Sequence, residues 1–123
     1  MEVISTCKAP QAIGPYSQAI SFGDLIFTSG QIALLENGVF LEGDIEAQTE
    51  QVLHNLTAVL EAAGSSFFKV LKTTIFLTNM DDFQRVNTIY GTFFSEHKPA
   101  RSTIAVKALP RNALVEIELI ATK

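Results

Sequence analysis

Cysteine is almost missing from this chain of 123 residues: Cys7 is the only one, so no intrachain disulfide can form. A reducing cytosol is the default compartment for such a sequence. No run of ~18 or more uncharged apolar residues occurs, and no membrane-spanning helix is expected. The opening MEVISTCKAP has no basic stretch leading into an apolar core, so no secretory signal is expected. Positive charge is also scarce. Nine Lys and Arg face thirteen Asp and Glu, for a net charge of −4. That balance repels phosphate backbones at long range, and no clustered basic stripe offsets it, which makes nucleic acid a poor partner. Metal-ligand spacing is lacking, because His54 and His97 lie far apart in sequence and Cys7 is remote from both. Neither Ile13-Gly14-Pro15 nor Ser29-Gly30 fits a Gly-rich phosphate loop, and no G-x-S-x-G nucleophile elbow is present. Nothing in the residues suggests a covalent nucleophile, a metal or a cofactor.

Apolar residues, by contrast, are plentiful. They make up 47% of the chain, and the mean hydropathy is +0.25. The length fits one compact domain over residues 1–123. A domain this small hides only about two-thirds of the surface its unfolded chain exposes. The apolar surplus is most simply placed in a subunit interface.

The pattern reads as strands interleaved with two helices, an α/β (α+β) chain. Ser17–Phe22 and Leu25–Ser29 are short apolar runs joined by Gly23-Asp24, a hairpin signal. Val39–Leu41 follows the turn-like Glu36-Asn37-Gly38. A first helix is marked by Ile45, Val52, Leu53, Leu56, Val59, Leu60 and Ala63 on one face, with Asp44 as N-cap, Glu46 in the first turn and Gly64 at C′. His54 falls on its polar side with Glu50 and Glu61. Val70–Leu77 is β-branched and aromatic, and reads as a strand. Asn79 is placed to cap a second helix reaching Phe94, with a stripe of Phe83, Val86, Tyr90, Phe93 and Phe94. His97 lies just past that helix end, where a cation is mildly favoured. Arg101–Lys107 and Leu114–Ala121 read as two further strands, connected through Ala108–Ala113.

Alternation along the last strand sets Val115, Ile117, Leu119 and Ala121 toward the helices and Leu114, Glu116, Glu118 and Ile120 away from them. In the preceding strand Ser102, Ile104 and Val106 share one face, and Arg101, Thr103 and Ala105 the other. Pairing these two strands as a hairpin with apolar faces matched puts Arg101, Thr103, Glu116 and Glu118 together on a mixed outer face. Three residues there carry candidate chemistry, each with a plainer reading beside it. Arg101 offers a fork of donors that fits a carboxylate, or is a surface arginine or an ion-pair partner of Glu118. Glu116 is a solvated carboxylate or, in a cleft, one whose raised pKa suits proton handling. Asn87, within the apolar stripe of the second helix, bonds a nearby backbone carbonyl or a ligand. Taken alone, these residues support an α/β domain with an anion site.

Four segments give the chain a resemblance. They are Ala12-Ile13-Gly14-Pro15-Tyr16-Ser17-Gln18-Ala19; Ile26-Phe27-Thr28-Ser29-Gly30-Gln31-Ile32; Lys72-Thr73-Thr74-Ile75-Phe76-Leu77 with Asp82-Phe83, Val86-Asn87 and Tyr90; and Pro99-Ala100-Arg101-Ser102-Thr103 with Ala108-Leu109-Pro110 and Val115-Glu116-Ile117-Glu118. In this order and spacing, along essentially the whole length, the chain resembles the RidA, or YjgF, family. The resemblance implies a chorismate-mutase-like fold, with two helices packed on one face of a mixed six-stranded sheet. It further implies a homotrimeric barrel with clefts between subunits. The activity it implies is hydrolysis of 2-iminopropanoate and 2-iminobutanoate, and of their enamine tautomers, to 2-oxo acids and ammonia, with no metal or other cofactor. Carried over by position, Arg101 clamps the substrate carboxylate and Glu116 positions or activates water. Tyr16, Ser29, Gly30 and Asn87 shape the pocket. Many bacterial members have cysteine where this chain has Thr103, whose hydroxyl or backbone remains available to the cleft. Two other expectations stay open. One is an endoribonuclease or translation inhibitor, an activity attributed to some relatives and disfavoured by the acidic balance. The other is a non-enzymatic binder of small carboxylates or of a protein partner, which needs Arg101 but not Glu116.

Overall fold

A computed structural model describes residues 1–123. Six strands form one sheet: β1 (Glu2–Ile4), β2 (Ala19–Phe22), β3 (Leu25–Thr28), β4 (Val70–Leu77), β5 (Ala100–Ala105) and β6 (Val115–Thr122). Their order is β1-β2-β3-β6-β4-β5. β4 and β5 run parallel and every other pair is antiparallel. Two helices, α1 (Ile45–Ala62) and α2 (Phe83–Phe94), cover one face. No helix is long and apolar enough to cross a membrane.

The first helix forms where its periodicity places it. Asp44 caps it, its side chain accepting from the Ala47 amide at 2.9 Å, and Gly64 follows its end at φ +80, a conformation that costs glycine nothing. Val52, Leu53, Leu56, Val59 and Leu60 are fully buried, each contributing about 1.5–3 kcal/mol of apolar burial. Gly23, at φ +59, turns β2 into β3 as the Gly-Asp step predicts. Asn79 caps a short 3₁₀ turn at Met80–Asp82, and α2 begins only at Phe83. Val39–Leu41 forms no strand; Phe40 makes a lone bridge to Leu34. β1 was not read from the sequence, since three residues give too little alternation to detect.

One expectation fails with consequences for the site. β5 and β6 do not form a hairpin. The parallel pairing of β5 with β4 sets Arg101 beside Thr73 and Thr103 beside Ile75, while β6 pairs with β4 from the other side, setting Ile117 beside Ile75. Paired residues share a face. Arg101 and Thr103 therefore lie on the helix-covered face with Ile117, and Ser102 and Ile104 on the open face with Glu116 and Glu118. The hydrophobic match misled because β5 is an edge strand. Its Ile104 is 47% exposed, so no buried face dictates its register.

The open face carries Val3, Phe22, Leu25, Phe27, Leu71 and Ile104, all exposed large apolar residues. All but Ile104 alternate with buried residues of the same strands.

Candidate active site

Two hollows hold the expected residues other than Ser29 and Thr103, one including Arg101 and the other Glu116. The first, of about 510 Å³, includes Asn87, Tyr90, His97, Lys98 and Arg101. The turn after α2 carries the chain from the helix to β5 and sets Arg101 against the helix side. There its Nη1 donates to Asn87 Oδ1 at 2.7 Å. Its guanidinium carbon stands 5.0 Å from the Tyr90 ring centroid and 5.4 Å from that of Phe83. A flat cation resting against aromatic rings is held in orientation and keeps donors free. None of the chain's ion pairs involves Arg101, and the pairing with Glu118 does not form. Tyr90 is itself anchored, its hydroxyl 2.8 Å from Thr73 Oγ1, and burial pushes its pKa up, opposed by that hydrogen bond and by Arg101. His97 Nε2 lies 2.7 Å from the Val70 carbonyl oxygen, tying the end of α2 to β4.

The second hollow, of about 290 Å³, includes Tyr16, Gly30, Gln31, Arg111 and Glu116. Its shape follows from a local irregularity. Phe27 pairs with Ile120, and Gln31 next bridges Ile117. Four steps along one chain thus oppose three along the other. The extra residue forces Ser29-Gly30 out of the ladder as a β-bulge does. The Leu119 amide left over at this point donates to Thr28 Oγ1 at 3.0 Å. Gly30 then lies flat against Glu116: a Cβ there would stand 2.8 Å from the Glu116 carboxyl carbon. Burial first, and then the charge of Glu118, push the Glu116 pKa up. The wall is built by buried amides. Gln18 accepts from the Thr6 amide at 2.7 Å and donates to the Pro10 carbonyl at 2.8 Å, while Asn55 of α1 donates to the Leu34 carbonyl at 2.9 Å.

The remaining candidates divide between hollow-lining and structural placements. Tyr16 is 52% exposed and lines the second hollow. Ser29 spends its hydroxyl on the Ser17 carbonyl at 2.6 Å and lines neither hollow. Asn87 positions Arg101. Thr103 lines neither hollow, and its Oγ1 is buried without a partner. Arg101 and Glu116 are not brought together within one chain, because the sheet separates them. Sequence reasoning missed Gln18, Asn55 and Arg111. The first two carry the general signal of a polar residue at a buried position. Arg111 carries none, being a lone arginine in a loop. No cluster of three or more metal-ligating side chains exists.

Comparison with known proteins adds to this geometry. The family model described as Endoribonuclease L-PSP matches residues 6–123. Reactive Intermediate Deaminase A, chloroplastic, of Arabidopsis thaliana is 52% identical over 122 residues, which are 98% of this chain and 65% of that protein. The chain thus spans about two-thirds of the length of that relative. The 2-iminobutanoate/2-iminopropanoate deaminase of Mus musculus is 48% identical across 99% of this chain and 91% of that one. The crystal structure of E. coli TdcF with bound serine superposes with a TM-score of 0.95 at 39% identity, covering 100% of this chain and 99% of that one.

Proposed function

The chain belongs to the RidA/YjgF family, that of the Endoribonuclease L-PSP model, and from this premise we propose that it hydrolyses reactive 2-imino acids, 2-iminopropanoate and 2-iminobutanoate, to 2-oxo acids and ammonia. The observation that carries the reading is the pair of unlike charged groups: a guanidinium held against two aromatic rings without a carboxylate partner, and a half-buried carboxylate whose pKa is raised. The named activities of the Arabidopsis and mouse relatives, and the amino acid bound to TdcF, point to the same ligand class.

Because the sheet separates the two groups, the site is completed by a second copy. The Arg101 side of one subunit faces the Glu116 hollow of the next in a homotrimer. The apolar open face supplies the seam, as patches of this kind are rarely left in water. Arg101 grips the substrate carboxylate with two parallel donors. A protonated imine is already electrophilic at C2, so binding and proton handling suffice. Glu116 takes a proton from water as its oxygen bonds to C2, and the C=N π pair moves to nitrogen. Glu116 then returns that proton to the nitrogen. Ammonia leaves with the C–N pair while the hydroxyl oxygen forms the carbonyl and gives its proton to Glu116, which passes it to the departing ammonia. The net charge of −4 disfavours the ribonuclease reading of the family description.

The test couples the protein to a serine dehydratase that generates 2-aminoacrylate, and follows pyruvate release. The wild-type chain accelerates release, while Arg101→Ala and Glu116→Gln each do not. When the two inactive variants are unfolded, mixed equally and reassembled, about a quarter of wild-type activity returns if each site draws on two copies of a trimer. No acceleration by wild type overturns the activity; no recovery in the mixture overturns the shared site.

A further inference from the structure

The hollow around Glu116 contains a second guanidinium that the reaction above does not use. Arg111 lines it together with Gly30 and Tyr16. We propose that Arg111 is a specificity-determining residue that receives a second carboxylate, so that the site also takes 2-imino acids with an acidic side chain. The proposal rests on the assignment of Glu116 as the acid–base group of this hollow.

Three observations carry it. Arg111 is not used elsewhere, as it takes part in no ion pair and no side-chain hydrogen bond of the chain. It is nevertheless placed, since its guanidinium carbon stands over Phe40, 6.0 Å from the ring centroid. Its backbone is held in an uncommon state. Arg111 and Asn112 sit at φ 60 and 55, the left-handed region, directly after Pro110. Asparagine tolerates that region, but arginine there is strained by about 1 kcal/mol or more, and such strain persists where the surroundings over-determine it. The turn leads within five residues to Glu116, so the same short segment fixes both groups.

Arg101 of the neighbouring copy holds the carboxylate next to the imine carbon. The side chain of the substrate then extends along the hollow toward the Pro110–Asn112 turn. A hollow of about 290 Å³ lies near the lower end of small-ligand sites and has room beyond an alanine-sized imine. Glu116 disfavours a second anion close to it, and the Arg111 guanidinium of the same lining compensates. An acidic side chain long enough to reach the guanidinium gains a charge-assisted pair, and a methyl-ended one of the same length does not.

The experiment compares 2-oxopentanedioate with 2-oxopentanoate, product analogues of equal length that differ in the terminal carboxylate. Calorimetric titration of the wild-type protein is expected to favour the diacid. Arg111→Asn relaxes the backbone while removing the guanidinium, and is expected to reduce the preference by about tenfold. Arg111→Lys, which keeps the charge, is expected to retain part of it. An unchanged preference in Arg111→Asn overturns the proposal, as does a wild type that prefers the monoacid. Because binding is read without turnover, a protein that fails the dehydratase assay but shows this preference sinks the imine reading and leaves the Arg111 assignment standing.

Discussion

The two hollows hold charge in opposite ways. Around Arg101 the charge is accommodated: two aromatic rings lie against it, with an amide acceptor at one nitrogen and solvent at the rest. Around Glu116 the charge is made costly, because burial and a neighbouring carboxylate both oppose ionisation. A group that must bind an anion through a whole reaction needs the first environment. A group that must gain and lose a proton needs the second. The contrast assigns grip to one residue and chemistry to the other.

The sharpest way to break that contrast is to disturb each group through a neighbour. Gly30→Ala pushes its new methyl into the Glu116 carboxylate, the far end of a flexible side chain, so the carboxylate moves and the fold does not. The expected result is a kcat lower by about a hundredfold, with a melting temperature close to wild type. Asn87→Ala loosens Arg101, and the expected result is a KM higher by about tenfold with kcat little changed. If both variants alter the same parameter, grip and chemistry are not separately housed.

A smaller effect sharpens the electrostatic half. Removing the Glu118 charge by Glu118→Gln lowers the Glu116 pKa toward the ordinary carboxylate value, so the acid limb of the pH–rate profile moves to lower pH. A limb that stays in place makes Glu116 the wrong titrating group. The stability counterpart has a definite sign. A carboxyl group with a raised folded pKa favours folding below its unfolded pKa, and that contribution is lost as pH rises through the folded value. Glu116→Gln is therefore expected to stabilise the chain above that range and not below it, as read by urea titration at two pH values.

The smallest effect is expected at Thr103, which belongs to neither hollow. Its buried hydroxyl has no partner, so Thr103→Val is expected to raise stability by up to about 1 kcal/mol. A loss of that size in urea unfolding would mean that the hydroxyl is satisfied after all.

The fold was legible wherever burial disciplined the pattern. Every apolar position read onto the inner face of α1 is buried, and so are Val115, Ile117, Leu119 and Ala121 of β6. It was not legible at β5, where exposure on both faces let Ile104 pass for a core residue and turned Arg101 the wrong way. The resemblance supplied Gly30 and Glu116 as positions. Their contact arises from one extra residue between Phe27 and Gln31, opposite β6, and has no local signature. Arg111 stayed hidden because a strained arginine looks the same in sequence as a relaxed one.

The placement of β6 has a consequence for how the molecule assembles. Sheet pairing divides into β1–β2–β3 on one side and β4–β5 on the other, and the two have no mutual ladder until β6 enters between them. The link from Leu119 to Thr28 closes a loop of 91 residues, and such distant closures are slow steps in folding. Glu116 rides on the strand that closes the gap. A chain in which β6 has not yet paired therefore has no proton-handling group in place, so completing the sheet and arming the molecule depend on the same strand.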